Sequence, residues 1–268
     1  MILRMKTALL TALLLAPLAA LHAADDDLLT LQIRFHLTQG ATMTVNGQEM
    51  EVWVQPDDLR DVVMAEVNRI WKQAKIQFVI ERIREEPLLA PANRDALLKS
   101  VGNARRGDDE SAESGRTANI AKLLDPAGCH PSAHNVYVLP YIGSTYQGYA
   151  RLGGHQVVVG VWTDKPSKGA KPPVKTLLVE PEPMKIGSLA RTIAHELGHN
   201  LGLNHPPKDD TTTGARLMGG RAQGYGLSLE DIAKAREIAR RNITTAKTGK
   251  EAENHETISG KSNSLTPQ

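Results

Sequence analysis

The segment "HELGHNLGLNH", residues 195–205, places three of the chain's nine histidines beside one glutamate. On a helix, residues four apart share a face, so His195 and His199 can present two imidazoles to one ion. Glu196 adjoins the first of them and is not needed as a ligand. It can stand next to a metal-bound water, take its proton, and later hand that proton to a leaving amine. A third ligand at His205 cannot share the helical face, so the chain must leave the helix abruptly. Gly202 makes such a left-handed turn without steric cost, and Gly198 reads as a close-packing position. Three neutral nitrogens and a water form an open tetrahedral zinc site, which is the catalytic rather than the structural pattern. A bare H-E-x-x-H also fits an ordinary helix whose histidines happen to be spaced by four. The longer motif fixes two further positions, and "RLMGG" then brings Met218 into a loop thirteen residues after His205.

The compartment bears on this chemistry. Arg4 and Lys6, an apolar run from Ala8 to Ala20, and small residues at Ala23 and Ala24 read as an export signal. The run is too short to span a bilayer, so residues 1–23 are expected to be cleaved and the product to be secreted or periplasmic, without a membrane anchor. The formal charge of +2 includes Arg4 and Lys6; without them 30 basic side chains face 30 acidic ones. A near-neutral product argues against nucleic acid as a partner, because such binding needs a basic patch. With Cys129 as the only cysteine, no intramolecular disulfide can form. The fold must be held by burial, and about 245 residues suit one large domain or one divided by a cleft.

Leu29, Leu31, Ile33, Phe35 and Leu37 alternate with polar residues, the period of a half-buried strand, which leaves His36 on the solvated face. Pro56 opens a helix with Leu59, Val63, Val67, Ile70 and Ala74 on one face. Ile76, Phe78 and Ile80 alternate again, so strand, helix and strand predict a crossover unit in a mixed sheet. Short helices are expected at 94–101 and 117–124, with a polar loop at 105–115 between them. Residues 135–139 and 156–162 read as buried strands. Between these, "GYARLGG" (148–154) has the composition of an edge strand. Ser188 is the expected N-cap of a helix to about Leu201, with Leu189, Ile193 and Leu197 facing the core. Ser228 and Asp231 form a capping box for a last helix carrying Ile232, Ala235 and Ala239. From about Thr245 the chain loses periodicity, and 246–268 is expected to be a disordered tail.

The motif His195, Glu196, His199, Gly202, His205, followed by Met218, resembles that of the metzincin metallopeptidases. The string "AHELGHNLG" looks most like the reprolysin (adamalysin) branch. The resemblance implies an α+β catalytic domain over 24–245, with a twisted mixed sheet, helices and a zinc-binding active-site helix. A cleft would separate an N-terminal subdomain, to about 202, from a small C-terminal one at 203–245, with Met218 as the apolar floor beneath the metal. Pro206 stands where reprolysins usually carry an aspartate, and Gly220 where astacin- and serralysin-like members place a metal-binding tyrosine. Tyr225 is nearby at the wrong spacing, and the family's disulfides are absent.

The function expected is an exported zinc endopeptidase, acting as a monomer on protein or peptide substrates through a water activated by Glu196. The alternative is a non-catalytic, zinc-containing protein-binding module on the same fold, and such a module has no need of Glu196. An edge strand offers free backbone donors and acceptors to an extended peptide. Gly148, Tyr149, Ala150 and Arg151 are therefore expected to line the upper rim of the cleft. A pocket from 211–218 and 222–225, including Tyr225, would take the side chain beyond the cut bond. A structural calcium ion is conceivable, but no compact acidic loop supports one. Cys129 reads as a half-buried free thiol, and His130, His134 and His155 as surface or hydrogen-bonded histidines.

Overall fold

The computed structural model describes residues 27–40, 42–87, 129–142, 147–163, 172–181, 187–207, 213–219 and 224–261. The export signal, the two short helices, the loop at 105–115 and the tail beyond 261 lie outside the described residues.

Strand β1 (Leu29–Gln39) leads through a small hairpin, β2 (Met43–Val45) and β3 (Gln48–Met50), to a helical stretch. That stretch begins as a π-helix over Asp58–Val63, continues as α1 (Met64–Trp71) and ends in a 3-10 turn at Lys72–Ala74. Lys75 then takes a left-handed conformation, φ 51°, and turns the chain into β4 (Ile76–Pro87). The strand–helix–strand expectation holds: β1 pairs with β4 in parallel, and the predicted apolar face of the helix is buried. Beyond these come β5 (His134–Leu139), β6 (Gly148–Ala150), β7 (Gln156–Gly160), β8 (Trp162–Thr163) and β9 (Val174–Lys175). The main sheet runs β4-β1-β5-β7-β6, parallel except for β6, which is antiparallel to β7 at the edge. This is the mixed sheet of an α+β domain.

Two expectations for the strands need correction. His36 is fully buried rather than solvated, because the later half of β1 is covered on both faces, whereas Thr30 and Gln32 on the same side stay exposed. Its Nε2 lies 3.2 Å from Asn135 Oδ1, and its ring stacks on Tyr137 at 4.4 Å. The strand expected over 156–162 stops at Gly160, and Trp162 belongs instead to the separate β8–β9 ribbon.

Helix α2 (Leu189–Asn200) packs across the sheet against β7 and β6, with α1 on its other side. The Trp71 indole N–H donates to the Ala194 carbonyl at 3.2 Å and fixes α1 to α2. All residues of α2 except His199 are buried, so this helix lies inside the domain rather than on its surface. Helix α3 (Leu229–Lys261) closes the fold, and the expected capping box is present. The Ser228 N–H donates to Asp231 Oδ2 at 3.0 Å, and the Asp231 N–H to Ser228 Oγ at 3.1 Å. The backbone of α3 stays helical through Lys261, where disorder had been expected from residue 246. The Ala, Glu and Lys content of 246–261 favours elongation of a helix already nucleated by its packed N-terminal half. Among the described residues no helix is long and apolar enough to cross a membrane.

Candidate metal centre

Ser188 is extended (φ −120°, ψ 139°), and its hydroxyl accepts from the Arg191 N–H at 3.3 Å, so it caps α2 as the sequence predicts. At the other end Gly202 has φ 80°. Its N–H donates to the His199 carbonyl and that of Leu203 to the Gly198 carbonyl, both at 2.9 Å. Those two bonds are the Schellman termination of a helix, and they require the left-handed residue between them. A side chain at 202 would also press on Ile238 of α3, with its Cβ 3.3 Å from that residue. The sharp exit returns the chain to the helix face at His205.

The three imidazoles converge, with one ligand nitrogen from each lying within 4.8 Å of the others. His195 Nε2 and His205 Nε2 stand 3.1 Å apart, and the ring centroids are separated by 4.7–5.2 Å. Backbone carbonyls set two of the rings. His195 Nδ1–H donates to Leu217 at 2.7 Å, and His199 Nδ1–H to Leu203 at 2.8 Å, since a carbonyl can only accept. With Nδ1 protonated, the Nε2 lone pair of each ring is left for a metal. Burial holds His195 well below the usual histidine range, helped by the nearby His199 and Arg191. Burial also pushes His199 down to about 4, with His205 adding to the effect. Both rings are therefore neutral at pH 7, the state in which imidazole coordinates a metal. An all-nitrogen donor set of three histidines, two of them neutral and held by backbone carbonyls, fits zinc. Among the described residues no acidic group of comparable convergence accompanies it, so calcium gains no support.

Met218 is fully buried in the loop below the helix. A Cβ built at Gly198 would lie 2.5 Å from Met218 Sδ, so the close-packing reading of that glycine has its partner. Gly198→Ala must displace the methionine or the helix. A destabilisation of about 1–3 kcal/mol is expected from overpacking, read as a lowered midpoint in urea. An unchanged midpoint would remove this contact as the reason for the glycine.

Glu196 is buried beside β6: a Cβ at Gly148 would meet its Oε1 at 2.5 Å and its Cγ at 2.6 Å. The edge strand thus runs directly against the glutamate. The Gly153 N–H donates to the His199 carbonyl at 2.8 Å, which ties the turn after β6 to the end of α2.

The profile of metallo-peptidase family M12B, reprolysin-like, matches residues 60–206, more than half of the chain. The protein belongs to the reprolysin-like M12B family. Among solved structures it is similar to a chaperone–substrate complex, at 16% identity and a TM-score of 0.41 over 81% of this chain. It spans only 35% of the length of that protein. It is also similar to an archaemetzincin from Methanopyrus kandleri, at 13% identity and a TM-score of 0.41, covering 80% of this chain and 96% of that one. No curated protein matches the chain significantly.

The remaining candidates are placed as follows. The Tyr225 hydroxyl donates to the Glu180 carbonyl, and the Arg69 guanidinium lies 5.1 Å over its ring. Tyr225 lines an open depression of about 710 Å³ with Glu66, Arg69, Gln73 and Glu180, and none of the three histidines lines it. Thr211, Thr212, Ala222 and Gln223 of the expected side-chain pocket lie outside the described residues. Cys129 is half-buried, its Sγ 2.6 Å from the Tyr137 hydroxyl. His134 is buried, and desolvation lowers it to about 3. Sequence reasoning missed Arg191 and Asn200. Arg191 had a signal, a charge four residues before His195 within an otherwise apolar stretch. The buried Asn200 had none: once its amide is oriented to suit its neighbours it donates to the carbonyls of Arg151 and Gln156 and accepts from His134 Nδ1.

Proposed function

We propose that the chain is an exported zinc endopeptidase, with His195, His199 and His205 holding the metal and Glu196 acting as general base. The observation that carries this reading is the convergence of three imidazoles beside a buried glutamate that lies against the edge strand of the sheet. These three histidines would hold the zinc, which would supply a Lewis acid for the scissile carbonyl and lower the pKa of a bound water toward neutrality. Glu196 takes the proton of the attacking water and delivers it to the departing amine. The outer edge of β6, Gly148–Ala150, together with Arg151, receives an extended peptide as an added strand and sets the scissile bond before Glu196. Met218 supports the helix from below, through its contact with Gly198. Residues 1–23 direct export and are removed. A non-catalytic binding module would not need the glutamate, which favours the enzyme.

The test is a peptide library digested by the purified protein before and after chelation. Cleavage should disappear with the chelator and return with one equivalent of zinc. Cleavage that persists in metal-free protein, or none under any condition, would refute the reading.

A further inference from the structure

Arg191 lies one turn before His195 on α2, yet only 8% of it is exposed. Its Nε donates to the Gly224 carbonyl at 3.0 Å and its Nη2 to the Leu217 carbonyl at 2.8 Å. Longer contacts from Nη2 reach the carbonyls of Gly219, at 3.4 Å, and Arg216, at 3.5 Å. These carbonyls belong to two stretches of the loop that carries Met218, three at residues 216–219 and one at Gly224. The Leu217 oxygen has a second donor, His195 Nδ1–H at 2.7 Å. Two side chains one helical turn apart therefore meet on one carbonyl, and its two lone pairs suffice for both.

We propose that Arg191 is a positioning residue for the metal centre: it pins the Leu217 carbonyl and, through it, the tautomer and ring orientation of His195. The proposal rests on the zinc reading given above. A carbonyl in a loop is free to swing unless something holds it, and an imidazole whose Nδ1 acceptor swings loses both its direction and its preference for one tautomer. Arginine suits the task because its planar fork reaches the two stretches of the loop at once. A lysine ammonium is a single point and cannot span Gly224 and Leu217 together. The charge by itself acts in the opposite sense, since a fixed cation near the site repels a divalent ion. The two effects can therefore be separated by the direction of the change.

The experiment compares full-length protein with Arg191→Met, Arg191→Lys and Ile70→Val, the last a core change on α1. Zinc affinity is measured by competition with a chromophoric chelator, the His195 tautomer by long-range proton–nitrogen NMR of the metal-free protein, and stability by thermal melting. Arg191→Met is expected to weaken zinc binding by about 10–100-fold, the range typical of outer-shell partners. It should also give mixed tautomers at His195. Ile70→Val should lower the melting point while leaving zinc affinity and tautomer as in the parent. Arg191→Lys should fall between parent and Arg191→Met. Unchanged zinc affinity in Arg191→Met would reduce Arg191 to a structural residue, and tighter binding would leave only its charge; either overturns the proposal. If Arg191→Met fails to fold, Arg191→Lys decides, and parental affinity in that variant overturns it. A parent that binds no zinc refutes the metal reading instead, and the tautomer measurement still judges Arg191.

Discussion

Glu196→Gln is expected to retain a full equivalent of zinc and to lower peptide hydrolysis by about 10²–10⁴-fold, the usual contribution of a positioned general base. Glutamine keeps the length and shape of glutamate, so the packing of β6 against residue 196 survives the change. It removes the ability to accept a proton from water and donate it onward. The effect should fall on kcat more than on KM, because in the proposed role the carboxylate would act on the reacting atoms rather than along the peptide. Metal content by atomic spectroscopy and steady-state kinetics on one cleavable peptide suffice to check this. A variant that hydrolyses at the parental rate would remove Glu196 from the chemistry, and one that loses its zinc would recast it as a residue of the metal shell.

The site was legible in the sequence because most of its geometry is local. Helical spacing fixes the relation of His195 to His199, and Gly202 ends the helix through two backbone bonds that involve only neighbours along the chain. The capping residues Ser188, Ser228 and Asp231 act over three residues and were readable for the same reason. The Asn46–Gly47 turn between β2 and β3, with φ 50° and 78°, also had a local signal, a dipeptide suited to a tight hairpin. It passed unread because the strands on either side have only three residues each.

Features that depend on strand order or on distant segments were not legible. His36 has the alternation of an outward-facing residue, and only the cover over the later half of β1 buries it. Arg191 stands out as a charge in an apolar stretch, but its partners at 217 and 224 are set by how the loop folds back under α2. The far half of α3 shows the reverse case. Its backbone helix extends past the amphipathic segment, where the periodicity used to recognise helices has already faded.

Gly148 gives the second large effect, and it tests whether the edge strand and the glutamate form one device. Gly148→Ala adds a Cβ that would sit 2.5 Å from Oε1, 2.6 Å from Cγ and 2.8 Å from Cδ of Glu196. Separations that short cannot be absorbed by small adjustments, because three atoms of the same side chain are involved. Either the carboxylate turns away from its present position or β6 lifts from α2. With Glu196 as the proposed base, each response would misplace it relative to the peptide by an amount on the order of 1 Å, and a loss of about 10²-fold in kcat/KM is expected. The substitution should also cost about 1–3 kcal/mol of stability as overpacking. A double-mutant cycle separates this contact from any general intolerance of the strand to a side chain. In a Glu196→Ala background the three clashing atoms are gone, so Gly148→Ala should there be nearly neutral for stability, although activity is already lost. Denaturant midpoints of the four proteins give the coupling directly. Equal destabilisation by Gly148→Ala in both backgrounds would show that the glycine serves the strand's own conformation, and the rim would then have to be argued without it.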